Sequence, residues 1–261
     1  FEIERGQWNA FVFVLAFGAV ALWRRGGTST RLVSYSMFTL AVHLKIWPIF
    51  LVVGFVDLRE GCRKNIRRLS WLALANLSLL MVLGPQYFII YLQSVIHKSG
   101  DPNVWLGDHS LLSFARQVTD TPAAGRLLGT WLAFGFFSAW LAVTLVGLWR
   151  LKSGSHPLML VFAVVAGMLL PATSNDYKLV VLTMAMCLLW DSYREPRTRL
   201  AWAGLMETLA WLAIAFGYPF VVFSYRYKDA WPTMWKMNTP YITIIFVAVA
   251  MLLLLRPPDV P

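Results

Sequence analysis

Apolar runs long enough to cross a membrane follow one another along most of this chain. A spanning helix needs about 20 mostly apolar residues, and 58% of the 261 residues are hydrophobic while 14% are charged. Soluble domains carry about 25% charged residues, and a large soluble core would need alternating polar faces, which these runs lack. The sequence therefore predicts an all-α integral membrane protein.

The apolar runs predict a multi-spanning helical bundle with about seven spans and one further segment that does not cross. The predicted spans are residues 8–23, 69–84, 127–149, 157–171, 179–190, 200–223 and 241–255. Gly84-Pro85 should end or kink the second of these. We expect one membrane domain over residues 1–261. Because residue 1 is Phe, we expect it to be the C-terminal portion of a larger protein.

Basic residues give the chain a formal net charge of +10 and stand between the apolar runs. That position is typical of cytoplasmic loops in membrane proteins, so the charge does not indicate a nucleic-acid partner. Cys62 and Cys187 are far apart and share no metal-ligand spacing, so neither a disulfide nor a metal site is predicted.

Lys45 lies inside the apolar run 32–56, next to His43 and just before Pro48. A cation at membrane depth is costly and usually faces a cavity with a function. Both ends of this run are basic, so both favour the cytoplasm. We therefore predict a re-entrant pair of half-helices that bends near residues 45–48 and returns, since such backbone is tolerated where it lines a cavity.

This topology places three polar groups on the extracytoplasmic side. They are Gln7 with Asn9, the loop at about residues 97–126, and the turn at residues 174–178. The tip of the re-entrant segment points toward that side, so residues distant in sequence are predicted to converge there on one site.

Several of these residues also have simple structural interpretations. Gln7 and Asn9 stand at a helix entrance, where they either cap the helix or bind a sugar or phosphate. Lys45 either pairs with a carboxylate, such as Asp57 or the intramembrane Glu207, or binds a phosphate as a point charge.

The outer loop contains His109, Ser110 and Arg116. Asp108, or Ser110 as second choice, suits the N-cap of a short helix that would carry Leu111 and its apolar neighbours onto the membrane surface. Alternatively, His109 and Arg116 help to hold an anionic lipid head group.

Asn175, Asp176 and Lys178 belong to a run of five polar residues between two apolar runs. Residues of this type form ordinary turns. In the functional interpretation Asp176 acts as a general base or orients a hydroxyl, and Lys178 neutralises a phosphate. No motif for nucleotide binding, metal-dependent hydrolysis or a serine nucleophile is present in the sequence.

The order of these motifs resembles that of the family 87 glycosyltransferases. It begins with Gly-Gln-Trp-Asn at residues 6–9 and continues with the stretch 41–48 around Lys45. The His-Ser-Leu-Leu segment at 109–112 and the Leu-Pro-x-x-Ser-Asn-Asp-Tyr-Lys turn at 170–178 follow. The resemblance covers about residues 6–180, and the last two spans match in hydropathy alone.

This resemblance implies a GT-C fold and an enzyme that transfers a hexose, with mannose expected, from a polyprenyl phosphate to a lipid or glycan acceptor. It implies a bacterial plasma membrane with the active site facing outward, and a catalytic Asp upstream of Phe1. No nucleotide diphosphate is released, so no metal or other cofactor is predicted. Family members often carry Ser-Trp-x-His at the late turn, where this chain has Asn175, Asp176 and Tyr177, so sugar and acceptor preference stay open.

Two other functions compete with this one. A transporter or lipid flippase also uses interrupted helices, although no inverted repeat is evident in the sequence. A non-catalytic membrane subunit is the other alternative, favoured if the chain really starts at Phe1.

Overall fold

The computed structural model describes residues 9–82, 84–87, 89–90, 93, 109–171, 181–182, 187, 204, 208–213 and 237–256. Within these residues the chain is helical and forms no strand, so the predicted all-α class is confirmed. The predicted spans 179–190 and 200–223 lie almost entirely outside the described residues. The helices are α1 (Asn9–Arg25), α2 (Thr28–Leu44), α3 (Cys62–Met81), α4 (Leu111–Gln117), α5 (Pro122–Leu151), α6 (Pro157–Leu169) and α7 (Thr239–Leu255), with 3₁₀ helices at Trp47–Phe55 and Leu58–Glu60.

Local chemistry sets several helix boundaries. Pro122 stands in the first turn of α5, and the Thr121 hydroxyl accepts a hydrogen bond from the Ala124 backbone N–H at 3.2 Å. This combination of cap and proline is favourable at a helix start, and it begins α5 five residues before the predicted span. Helix α3 ends at Met81, three residues before Gly84, whose φ is 96°. This end agrees with the prediction from Gly84-Pro85.

Helices α1 and α2 form an antiparallel hairpin. Gly26 and Gly27, both with positive φ, make the turn between them. The Ser34 hydroxyl donates to the Ala19 carbonyl at 2.6 Å, and the two residues lie seven positions after Gly27 and seven positions before Gly26. The end of α1 therefore lies beside the start of α2.

After α2 the chain reverses direction. The 3₁₀ helix Trp47–Phe55 runs back along α2, because the Phe55 ring lies 4.9 Å from that of Phe38, 6.1 Å from Tyr35 and 5.9 Å from Trp23. The predicted bend near residues 45–48 is confirmed. The second of the two predicted half-helices is a 3₁₀ helix of nine residues. The position of this reversal in a membrane stays a prediction.

The contacts fix the direction of the remaining helices. Asn76 of α3 lies beside Thr39 of α2, so α2 and α3 run parallel. Helix α6 is antiparallel to the 3₁₀ helix, because Gly54 faces Leu160. Helices α5 and α7 end side by side, because the Arg150 side chain near the end of α5 donates to the Arg256 carbonyl just after α7.

All helices except α4 can therefore be aligned between two ends of the bundle. We call one the basic end. It holds the ends of α1, α5 and α7, the starts of α2, α3 and α6, and the basic residues Arg24, Arg25, Arg31, Arg63, Lys64, Arg67, Arg150 and Lys152. The distal end holds the other termini. Every basic cluster that the sequence analysis assigned to the cytoplasm and that lies within the described residues is at the basic end.

Arg68 joins three elements at the basic end. Its guanidinium donates to the Phe55 carbonyl at 2.6 Å, pairs with Glu60, and lies 4.4 Å from the centre of the Trp23 ring. Asn65 completes the cluster by accepting from Arg68 at 3.0 Å. This cluster ties the returning 3₁₀ helix to α1 and α3.

The bundle is built around α6, whose residues from Leu158 to Leu169 are all buried. A helix that is apolar on every side belongs in the interior of a bundle. Helix α5 differs, because it exposes an apolar stripe along its length. Leu127, Trp131 and Trp149 on this stripe are 63%, 65% and 59% exposed.

Among the described helices, α5 is long and apolar enough to cross a membrane by length and composition, and α6 and α7 are shorter apolar helices. A continuous exposed apolar stripe is rare on soluble monomers and is compatible with contact to lipid. The described residues thus support the coarse assignment to a membrane, while the predicted number of spans stays a prediction.

We predict that Arg68→Ala destabilises the protein strongly. Removing one partner of a buried ion pair costs about 3–5 kcal/mol, and here the Phe55 carbonyl and Glu60 both lose their donor. Thermal unfolding in detergent, followed by size-exclusion chromatography, measures the effect. The matched control is the neighbouring exposed Arg67→Ala, for which we expect less than about 0.5 kcal/mol. Equal midpoints for the two variants would contradict the role of the Arg68 cluster.

Candidate functional site

The interruption at Lys45 is the centre of the candidate site. Helix α2 ends at Leu44, and Lys45 is extended with φ −151° and ψ 140° while its backbone N–H donates to the Ala41 carbonyl at 3.0 Å. The cause is local, since Pro48 has no N–H to donate to the Leu44 carbonyl and its ring would clash with that carbonyl if α2 continued. The side chain of Lys45 is half-buried at the distal end of α2.

Gly167 holds the tip of this interruption against α6. A Cβ atom at Gly167 would lie 2.8 Å from the Trp47 carbonyl oxygen and 3.3 Å from the Phe50 ring. Only a glycine allows the first turn of the 3₁₀ helix to approach the α6 backbone so closely. The indole N–H of Trp47 is buried and has no hydrogen-bond acceptor among the described residues.

His43 is oriented by α3. Its Nε2 atom lies 3.1 Å from the Asn76 backbone carbonyl. A carbonyl accepts, so Nε2 carries the proton and Nδ1 is available as an acceptor in the neutral ring. The Asn76 side-chain amide donates to the Leu72 carbonyl at 2.8 Å, whereas its own side-chain oxygen is buried without a donor.

Asn9 is fully buried at the distal start of α1. Within the described part of the chain, neither its side-chain oxygen nor its side-chain nitrogen has a hydrogen-bond partner. A buried amide without partners costs about 1–3 kcal/mol per unsatisfied group. The capping interpretation requires a bond from this side chain to a backbone N–H and is therefore not supported. An amide left in this state suits a polar ligand.

Helix α4 contains the outer-loop candidates. Ser110 is its N-cap and accepts from the Ser113 backbone N–H at 3.2 Å, and His109 is fully buried beside it. The second-choice cap is thus the one used. Leu111 and Ala115 are buried, which corrects the expectation that they lie on the membrane surface. They are buried because α4 packs against the first turns of α5.

The structure does not place α4 at the level of the Lys45 tip. The Arg116 backbone packs against Gly125, and Leu112 packs against Gly129. Phe50, near the tip, contacts Trp140, eleven residues further along α5 than Gly129. Eleven residues correspond to about 16 Å of helix. His109, Ser110 and Arg116 thus share the distal end with Asn9 and Lys45 but lie farther from the basic end.

Several predicted residues fall outside the described part of the chain. They are Gln7, Asp108, Asn175, Asp176, Lys178 and Glu207. Their roles stay predictions.

Asp57 is not positioned to pair with Lys45. It lies at the basic end, where its side chain accepts from the Arg59 backbone N–H at 2.9 Å and its backbone bridges to Ser153. The alternative that Asp57 neutralises Lys45 is therefore wrong. The hairpin between α2 and the 3₁₀ helix separates the two residues by its full length.

Two residues of the site were missed from sequence. Asn76 orients His43, and its polar side chain in the apolar stretch Leu72–Leu79 was an available signal. The unpartnered indole of Trp47 had no such signal, because buried tryptophans usually serve packing.

No group of three or more metal-ligating side chains lies within the described residues. Comparisons with protein-family models, with characterised proteins and with solved structures find no match to this chain. The resemblance to the family 87 glycosyltransferases therefore stays a prediction.

We predict that Gly167→Ala displaces the Lys45 tip and lowers stability by about 1–3 kcal/mol, because the added methyl group meets the Trp47 backbone oxygen. Thermal unfolding in detergent measures the change. Gly135→Ala is the control, since a Cβ there meets nothing within 4 Å, and the better helix propensity of alanine should raise stability by up to about 1 kcal/mol. A stable Gly167→Ala protein would contradict the close contact.

Proposed function

We propose that this chain is part of a membrane glycosyltransferase that takes a hexose from a polyprenyl phosphate on the extracytoplasmic face. The observation that carries the proposal is the reversal at Lys45. It returns the chain to the basic end and leaves a cation at the distal end, between the apolar residues Leu44 and Ile46. The direction of the reversal agrees with the topology that the basic flanks predict.

The charge at Lys45 suits a phosphate. An ammonium near a low-dielectric region interacts with an anion far more strongly than in water. His43 stands two residues before Lys45, with its ring oriented by Asn76. The buried Asn9 amide at the same end offers one donor group and one acceptor to a sugar hydroxyl.

The proposed reaction needs few groups. An acceptor hydroxyl oxygen forms a bond to the anomeric carbon as the bond from that carbon to the phosphate oxygen breaks. A carboxylate takes the hydroxyl proton, with Asp176 as the candidate in this chain. Lys45 stabilises the charge that grows on the leaving polyprenyl phosphate. Lys178 and Arg116 are further candidates for phosphate contacts.

A transporter or lipid flippase is the second candidate. The interrupted segment at Lys45 favours it to the same degree, because transporters bind substrates where discontinuous helices expose backbone groups. The two functions differ in one measurable respect, since a flippase moves its substrate without breaking a covalent bond.

The proposed topology predicts that Ser29 and Cys62 lie on the cytoplasmic side and Thr121 on the other. Single thiols are provided by Cys62 itself in a Cys187→Ser protein, and by Ser29→Cys and Thr121→Cys in a protein without native cysteines. A membrane-impermeant maleimide should label the first two only in inverted vesicles and the third in intact cells. A simple crossing by residues 32–56 would place Ser29 and Cys62 on opposite sides.

The proposed activity predicts transfer of labelled mannose from polyprenyl phosphate in membranes that carry the full-length protein. Lys45→Ala should lower the rate at least about tenfold, because a lost charge-assisted contact costs about 1.5–3 kcal/mol. Lys45→Arg keeps the charge and should retain more activity. Lys152→Ala, at the basic end, should leave the rate unchanged.

Absence of transfer from every polyprenyl-phosphate sugar tested would overturn the proposed enzyme. Transfer that is unaffected by Lys45→Ala would remove Lys45 from the phosphate site while leaving the activity in place.

A further inference from the structure

A groove runs between α2 and α3, and Thr28 and Arg31 line it at the basic end. Its volume is about 780 Å³, which is within the range of small-molecule sites. Most of its lining is apolar and includes Leu32, Leu40, Trp71, Ala75, Leu79 and Val82. The lining residues on α2, from Thr28 to Leu40, cover about 18 Å of helix, which is close to one leaflet of a hydrocarbon core of about 30 Å.

The mouth of this groove is basic. Arg31 lines it at the basic end. On α3 the groove face continues from Trp71 back to Arg67 and Lys64, which are four and seven residues earlier and therefore on the same side of the helix. The parallel register of α2 and α3 brings Arg67 to the level of Arg31, because Asn76 stands beside Thr39 and His43.

These cations are available to a ligand. Arg31, Lys64 and Arg67 are exposed, and none of the three is in an ion pair with another described residue. The neighbouring Arg68 differs, because Glu60 neutralises it. The starts of α2 and α3 add partial positive charge at the same mouth, since Gly27 and Gly61 cap them without a side-chain hydrogen bond.

We infer that this groove binds an anionic phospholipid of the leaflet at the basic end. The acyl chain would lie between α2 and α3 along Leu40 and Leu79, and the head-group phosphate would meet Arg31 and Arg67. Charge complementarity selects this occupant over a zwitterionic lipid, because basic residues at a membrane surface attract anionic lipids. Apolar grooves without such a mouth would show no preference between the two.

The inference requires the chain to lie in a membrane but does not require glycosyl transfer. Its basic mouth is at the opposite end of the bundle from Lys45, while its apolar part extends to Leu40 and Val82. Loss of lipid preference and loss of mannose transfer would therefore be separate results.

The test is native mass spectrometry of the full-length protein in detergent with an equimolar mixture of phosphatidylglycerol and phosphatidylcholine. We expect preferential retention of phosphatidylglycerol. The double variant Arg31→Gln/Arg67→Gln should lower that preference about tenfold, given the usual attraction per basic residue. The matched control, Arg24→Gln/Lys152→Gln, removes the same charge from the same end outside the groove and should keep the preference.

A second variant tests the apolar part. Ala75→Phe fills the groove while it keeps every charge, and it should reduce retention of both lipids. Equal loss of preference in the Arg31/Arg67 variant and its control would show general attraction to the basic end and overturn the site. Equal retention of both lipids by the unaltered protein, or unchanged binding by Ala75→Phe, would also overturn it.

Discussion

The rest of the fold depends on the cluster around Arg68. A guanidinium inside the bundle is costly unless its donors are satisfied, and here they meet the Phe55 carbonyl, Asn65 and Glu60. The Phe55 carbonyl is at the end of the 3₁₀ helix, where the last carbonyls of a helix need donors. Arg68 thus supplies a donor to the last carbonyl of the returning 3₁₀ helix and fixes where that helix ends. Without this anchor the reversal after α2 would lose its attachment to α1 and α3.

Beyond the Arg68 cluster, close packing rather than charge holds the 3₁₀ helix in place. A 3₁₀ helix longer than three or four residues is uncommon. Here it packs against α1, α2 and α6, and six of its nine residues are buried. Gly54 meets Val20 and Leu160, and Gly167 receives the Trp47 carbonyl. These close contacts compensate for the poorer hydrogen bonds of the 3₁₀ helix. The position of Lys45 therefore follows from contacts at both ends of the segment.

The reversal could be predicted from sequence because two strong constraints act there. Pro48 ends the helix, and basic residues on both flanks of the run favour one side. The 3₁₀ character could not be predicted, since residues 49–55 are as apolar as an ordinary buried helix and carry no signal for its geometry. The pairing of His43 with Asn76 depends on the register between α2 and α3. That register follows from tertiary contacts around Arg68, which local sequence patterns do not contain.

Three side-chain amides differ in how far the described residues satisfy their polar atoms. Asn65, at the basic end, uses both of its polar atoms, donating to the Asp57 and Gly61 carbonyls and accepting from the Asp57 backbone N–H. Asn76, about three turns further along α3, uses its nitrogen and leaves its oxygen unsatisfied. Asn9, at the distal end, uses neither atom. A fully satisfied polar cluster stabilises the fold, whereas buried groups left without partners destabilise it. Among the described residues such groups also occur at the basic end, on the Trp23 indole nitrogen and the Arg150 Nε atom, so the stability of that end comes from the Arg68–Asn65 cluster in particular and not from every polar group there.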